Sequence, residues 1–272
     1  MIAFTKMHGL GNDFVVIDRR KGGVTLSAGQ MQAIADRHRG VGYDQLVFID
    51  PATNGKADVA FRFHNQDGSE SAACGNGTRC VAAAVMDETG RDALTIETEA
   101  GILSAERRPN GLFAVNMGKA RTDWRDIPLS TEHDTISLPI TVGPLSDPVA
   151  VGMGNPHCVF FVDDAEAIDL ERCGREVEHH PLFPERTNVE VASITGKDRI
   201  RLRVWERGVG ITLACGSGAC ATGVAANRRG LTGRSVDIAV DGDGILSIDW
   251  QENGDVILTG PVAVSFSGEI AL

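Results

Sequence analysis

Two cysteines carry the same local signature. Ala73-Cys74-Gly75-Asn76-Gly77 and Ala214-Cys215-Gly216-Ser217-Gly218 each set a thiol just before a run of small apolar residues that reads as a helix, Asn76–Asp87 and Ser217–Arg229. A cysteine at a helix start faces unpaired backbone N–H groups and the positive end of the helix dipole, which favour a thiolate or a bound carboxylate. Such a setting lowers the thiol pKa from its ordinary value of about 8.5. Two thiols facing each other could take a proton from one side of a carbon and return one on the other, exchanging acid and base roles when the direction reverses. The helix-start amides between them would hold a substrate carboxylate and steady the enolate-like charge that develops.

Other uses of these cysteines stay open on the residues alone. They could be small core side chains, or they could form a disulfide, although six cysteines in 272 residues are too few for a disulfide scaffold. Metal binding is the weakest alternative. No Cys-x2-Cys spacing occurs, and Cys80 and Cys220 fall on helical positions that point elsewhere, so no metal site is expected. Cys80, Cys158, Cys173 and Cys220 read as structural. Gly75-x-Gly77 and Gly216-x-Gly218 lack the third glycine of a dinucleotide fingerprint, so no nucleotide cofactor is expected either.

The motif is part of a longer repeat. The segment Arg62 to Gly77 aligns without a gap on Arg203 to Gly218, sharing the Arg, Ala, Cys and both Gly positions. Upstream, Gly11-Asn12 precedes Phe14-Val-Val-Ile-Asp18, and Gly154-Asn155 precedes Cys158-Val-Phe-Phe-Val-Asp163, at nearly equal distances from the two cysteines. Ordered echoes at matched spacing indicate two homologous halves joined near Met117 to Asp123.

The elements that must position the thiols follow from local pattern. In the first half Phe14–Asp18, Gln45–Ile49 and Val59–His64 read as strands, and Ser27 caps a short helix with Met31, Ile34 and Ala35 on one face. Turns at Glu99-Ala-Gly101 and Pro109-Asn-Gly111 punctuate a strand meander from Ala93 to Met117. The second half offers strands at Val149–Val151, Cys158–Val162, Val189–Ser193 and Ile200–Trp205, then a meander turned at Asp241-Gly-Asp-Gly244 and Glu252-Asn-Gly254. The cysteine-led helices lack a polar face and should be buried, with small side chains that let a curved sheet wrap closely. The expectation is an α+β protein without a β-α-β rhythm.

Composition narrows the function classes. A hydrophobic content of 42% excludes disorder, and no run of apolar residues is long enough to span a bilayer. A net charge of −11 argues against nonspecific nucleic-acid binding. Without a visible secretory leader, a cytoplasmic protein acting on a small molecule is the default.

With these residues in hand, the sequence resembles the diaminopimelate epimerases, cofactor-independent enzymes of lysine and peptidoglycan-precursor biosynthesis. The matching pieces are His8-Gly-Leu-Gly-Asn-Asp-Phe14, Arg37-His-Arg-Gly-Val-Gly42, Phe63-His-Asn65 with Asp67-Gly68-Ser69, and Ala73-Cys-Gly-Asn-Gly77. Gly154-Asn-Pro-His157, Trp205-Glu-Arg-Gly-Val-Gly210 and Thr212-Leu-Ala-Cys-Gly-Ser-Gly-Ala-Cys220 complete the set in the family's order. The resemblance implies two pseudo-symmetric domains, residues 1–117 and 118–262, each a curved mixed sheet around a central helix. Residues 263–272 would return to the first. It implies interconversion of LL- and meso-diaminopimelate, no cofactor, and a homodimer.

The same resemblance distributes roles. Cys74 and Cys215 map onto the two catalytic bases. Gly75, Asn76, Gly216 and Ser217 map onto the amides that receive the carboxylate at the reacting carbon. Asn65, Asn155, Asn188 and Arg207 match the grip on the distal carboxylate, for which the planar Arg207 fork is suited. Glu206 matches a residue near the distal ammonium and, with His157, one that tunes a catalytic thiol; Asn12 and Gln45 complete the pocket. Departures from the family pattern are Ala73, Ile211, Tyr43 and Phe266, the last standing where a dimer-contact tyrosine is frequent. Rival activities on this fold are proline or hydroxyproline epimerisation, histidine racemisation and phenazine-pathway isomerisation. A noncatalytic amino-acid-binding or thiol-redox protein is the alternative of a different class.

Overall fold

The structure is a computed structural model and describes residues 1–71, 74–99 and 101–271. Chain contacts divide it into two compact units, Met1–Asn116 with Gly260–Leu272, and Met117–Thr259.

In the first unit, Ile2–Gly9 pairs antiparallel with Asn12–Asp18, which pairs parallel with Gln45–Asp50 in the register Phe14 to Gln45. Gln45–Asp50 then pairs antiparallel with Val59–Asn65, Gln45 lying opposite Asn65. Val59–Asn65 pairs parallel with Ala93–Thr98, from which the antiparallel strands Gly101–Arg107 and Phe113–Lys119 continue. The final strand, Ala263–Ile270, returns to pair with Ile2–Gly9. Helix α1 (Ala28–Ala35) carries a complete Ser27–Gln30 capping box and buries Met31, Ile34 and Ala35. Helix α2 (Gly75–Thr89) ends at Gly90 in the left-handed conformation.

The second unit repeats this order. Val149–Gly152 pairs antiparallel with Pro156–Phe161, which runs parallel to Asn188–Gly196 with His157 at the level of Asn188. Asn188–Gly196 pairs antiparallel with Arg199–Glu206, which pairs parallel with Ser235–Val240, followed by Gly244–Trp250 and Asp255–Gly260. Helix α3 (Leu170–Glu178), capped by Asp169, and helix α4 (Gly216–Arg228) occupy the places of α1 and α2. The fold is therefore the expected mixed α+β arrangement, with one correction. Two parallel pairs in each unit are bridged by helices, because parallel neighbours need a crossover connection. A local β-α-β rhythm is present after all; antiparallel neighbours between the parallel pairs conceal it in the sequence.

The central helices are buried almost all round: Gly75 to Ala83, Val85 and Met86 in α2, and Gly218 to Ala226 in α4. Their small residues are required by close approach. A Cβ on Gly77 would lie 2.8 Å from the Phe63 ring, and one on Gly223 would lie 2.9 Å from Ile248. Burying these faces removes apolar surface at about 25 cal/mol per Å², and no larger side chain fits without displacing the sheet.

Candidate active site

Each unit gathers its polar residues at one end of its sheet. In the first, Asn12 and Gln45 begin strands and Asn65 ends one, all beside the start of α2. Cys74 is the N-cap of α2; the Gly77 N–H donates to its Sγ at 3.4 Å. The Cys74 thiol approaches Asn12 Oδ1 at 3.8 Å, and Asn76 Nδ2 donates to the same oxygen at 3.2 Å. Asn12 Nδ2 in turn donates to Asp44 Oδ2 at 2.9 Å. Gln45 Nε2 donates to Asn65 Oδ1 at 3.1 Å, and Asn65 Nδ2 to Ser69 Oγ at 3.1 Å. Beneath Asn12, Asp13 accepts from Lys6 and Arg37. Burial would raise the Asp13 carboxyl, but the hydrogen bonds from Arg37 and Lys6 and their positive charges outweigh it and hold it at about 2.

In the second unit Asn155 and Asn188 lie at strand beginnings and Glu206 at a strand end, beside the start of α4. Cys215 is the N-cap of α4; the Gly218 N–H donates to its Sγ at 3.3 Å and Ser217 Oγ lies 3.5 Å away. His157 is fully buried, with Nδ1 2.7 Å from Glu190 Oε1 and Nε2 2.9 Å from Asn155 Oδ1. Asn188 Nδ2 donates to the Pro156 carbonyl at 3.0 Å, and its Oδ1 accepts from the Arg207 N–H at 2.9 Å. The Arg207 guanidinium donates to the Glu185 carbonyl at 3.0 Å, and Glu206 Oε1 accepts from Thr212 Oγ1 at 2.6 Å.

The order of these groups, a thiol at each helix start amid amide side chains and beside a buried carboxylate in one unit, is suited to moving protons at a carbon next to a carboxylate. The profile of the family described as Diaminopimelate epimerase matches residues 4–122 and 149–264. A diaminopimelate epimerase of Rhodospirillum centenum is 57% identical over 98% of this chain and 92% of its own. One of Acidiphilium cryptum is 52% identical over 98% and 95%. The chain belongs to the diaminopimelate epimerase family. A solved phenazine biosynthesis protein of Bacillus anthracis, 18% identical, superposes with a TM-score of 0.72 over 100% of this chain and 99% of its own, which shows a shared fold.

Within that family frame, one expectation needs correction. The helix start was expected to lower the thiol pKa, yet Cys215 is pushed well above the usual thiol range. Burial is the largest cause, the Glu206 and Glu190 carboxylates add to it, and the Ser217 and Gly218 hydrogen bonds only partly oppose it. A single turn of helix supplies only partial charges, which do not offset the burial of this thiol beside the Glu206 and Glu190 carboxyl groups. The Asn188 amide meets backbone at both ends, the Pro156 carbonyl and the Arg207 N–H, and so ties the Arg207 loop to its strand, while its NH2 group carries a second donor hydrogen.

Two neighbours of the site were missed in the sequence. Asp44, which orients Asn12, was overlooked between Tyr43 and Gln45. Glu190 was hidden inside an apolar strand, Val189 to Ser193, where a charged residue with both neighbours apolar was the available signal. Cys80, Cys158 and Cys173 are buried, and burial pushes the Cys80 thiol up to about 12, in keeping with structural roles. Of the family departures, Tyr43 is buried and its hydroxyl donates to the Met31 carbonyl at 2.7 Å. Ile211 is exposed, Phe266 is exposed with its ring edge-on to Phe4, and Ala73 lies outside the described residues, as does Ala100 in the Glu99–Gly101 turn.

Proposed function

We propose that the protein interconverts LL- and meso-diaminopimelate, with Cys74 and Cys215 as the two bases. The observation that carries this reading is the pair of N-cap thiols, one at the start of each buried helix, in a chain of the diaminopimelate epimerase family. A thiolate takes the α-proton from one face and the other thiol delivers a proton to the opposite face. The isomer that enters decides which cysteine acts as base. The proton that leaves ends on one sulfur as the other sulfur gives its own, so the two thiols finish with roles exchanged.

The substrate carboxylate at the reacting carbon is received by the amides at Gly75, Asn76, Gly216 and Ser217, where a helix start stabilises negative charge as it spreads toward the enolate. Asn65, Asn155, Asn188 and Arg207 hold the distal carboxylate with donors, and Glu206 receives the distal ammonium. Asn12 and Gln45 line the remaining side. The working form is a homodimer, for which exposed Phe266 and Val264 on the last strand offer an apolar face. The protein works in the cytoplasm; among the described residues no helix is long and apolar enough to cross a membrane.

Chiral chromatography after incubation with LL-diaminopimelate tests the activity. Accumulation of the meso isomer to a near-statistical mixture is expected. No conversion of diaminopimelate alongside racemisation of histidine or epimerisation of hydroxyproline would overturn the substrate and leave the two-thiol chemistry standing.

A further inference from the structure

The two units solve the same packing problem with different chemistry. In the first, Phe14 lies opposite Gln45 and Val47 opposite Val16 on the neighbouring parallel strands Asn12–Asp18 and Gln45–Asp50, and Phe14 and Val47 are both fully buried. Matching Asn12 with Asn155 and Gln45 with Asn188 puts His157 at the place of Phe14 and Glu190 at the place of Val47. The difference extends to the central helix. A Cβ on Gly77 would meet the Phe63 and Phe14 rings, whereas one on Gly218 would meet Glu190 Oε1 at 2.8 Å. The first unit is thus an internal control. It shows that an apolar pair fills this position satisfactorily, and removing an ionisable pair from water is costly.

The polar pair is also arranged toward the thiol. Glu190 and His157 are each 0% exposed and 2.7 Å apart, and Asn155 holds the other ring nitrogen. The second carboxylate oxygen of Glu190 is buried with no hydrogen-bond partner among the described residues. The same Gly218 Cβ that would strike Glu190 would lie 3.3 Å from Cys215 Sγ, so carboxylate and thiol flank one glycine. From the strands packed against α4, the ionisable groups around Cys215 are Glu190, with His157 behind it, and Glu206; the helix itself adds the Ser217 hydroxyl and the Gly218 N–H.

Resting on the two-thiol reading, we infer that Glu190, hydrogen-bonded to His157 beneath the first turn of α4, is a positioning residue for Cys215 that makes the two thiols chemically unequal. Burial raises the Glu190 carboxyl and the His157 contact opposes that rise, so the negative charge His157 helps to keep on Glu190 opposes thiolate formation on Cys215, and the same bond fixes the ring that orients Asn155. In the first unit the place of Glu190 is taken by buried Val47. Cys215 therefore keeps its proton to a higher pH than it would beside an apolar residue at position 190. The inequality favours the state in which Cys215 enters the cycle as the acid.

Peptide-resolved alkylation by iodoacetamide across a pH series tests this without any substrate, so a mistaken substrate would leave the result intact. Glu190→Gln removes the charge and keeps a hydrogen-bonding group against His157. The expected result is severalfold faster alkylation of Cys215 near neutral pH, its profile moved to lower pH, with Cys74 unchanged. The double variant His157→Phe with Glu190→Val rebuilds the Phe14–Val47 arrangement and carries the test if the single variant fails to fold. It should fold, show the same acceleration at Cys215, and lose at least tenfold in turnover. Superimposable Cys215 profiles in wild type and the folded variant would overturn the inference, as would an equal shift at both cysteines.

Discussion

The Asn12 amide donates to the Asp44 carboxylate at 2.9 Å, and that single bond fixes what Asn12 offers to Cys74. A carboxylate can only accept, so Nδ2 must face Asp44 and Oδ1 must face the thiol and Asn76. An oxygen facing sulfur favours the protonated thiol over the thiolate. Asp44 is itself held by Arg37 at 2.8 Å and by the Asp13 N–H at 3.0 Å, so the orientation is braced from below.

Replacing Asp44 by Ala should release the Asn12 amide to turn its donors toward sulfur. Alkylation of Cys74 should then accelerate at neutral pH by several-fold, with Cys215 unaffected. Peptide mass spectrometry distinguishes the two sites, and an unchanged Cys74 profile would show that Asp44 does not govern Asn12.

Cys74→Ser and Cys215→Ser should each lower turnover by about 10²- to 10⁴-fold, the usual worth of a positioned acid or base. Thermal melting should stay close to wild type, since a hydroxyl can accept the same Gly77 or Gly218 N–H at the helix start. Wild-type turnover in either folded variant would contradict the two-base assignment.

Gly223→Ala tests the close wrapping of the sheet around α4. Alanine is favoured over glycine within a helix by about 1 kcal/mol. Against this, the new methyl would meet Ile248 at 2.9 Å and Val236 at 3.1 Å. Overpacking costs about 1–3 kcal/mol, so a net loss of stability is expected in denaturant unfolding. A gain would mean that the sheet yields more readily than its packing indicates.

Asp13 predicts a component of acid unfolding. Its carboxyl is held at about 2 in the folded protein against an ordinary value of 3.8. A depressed folded pKa stabilises the protein above the ordinary value, and that stabilisation is lost as pH falls through 3.8 toward 2. Asp13→Asn should therefore be less stable at neutral pH and show a shallower loss of stability across that window. Parallel curves for variant and wild type would refute the coupling to Lys6 and Arg37.

Much of this was legible in the sequence because the features were local or duplicated. Ser27 and the Met31-Ile34-Ala35 face specify α1, and the strands beginning near Phe14, Gln45 and Val59 show their apolar runs directly. The two cysteine motifs announce themselves through the repeat. What escaped was nonlocal. Ile2–Gly9 mixes polar and apolar residues because only some of its side chains are buried, and its place is set by pairing with Asn12–Asp18 and with the distant Ala263–Ile270. Asp44 and Glu190 gain their meaning from partners 32 and 33 residues away, Asn12 and His157, which only strand register brings together. The fall in Cys215 acidity likewise depends on burial and on Glu206 and Glu190, not on the motif that draws attention to it.

The most direct test of the central claim is NMR of the reduced protein with LL-diaminopimelate in deuterated water. Two bases working from opposite faces predict deuterium at the inverted carbon of the meso product, because the incoming proton comes from a thiol that has exchanged with solvent. Inversion with the original hydrogen retained at that carbon would instead mean that a single group removes and returns it, and the assignment of Cys74 and Cys215 as a two-base pair would be wrong.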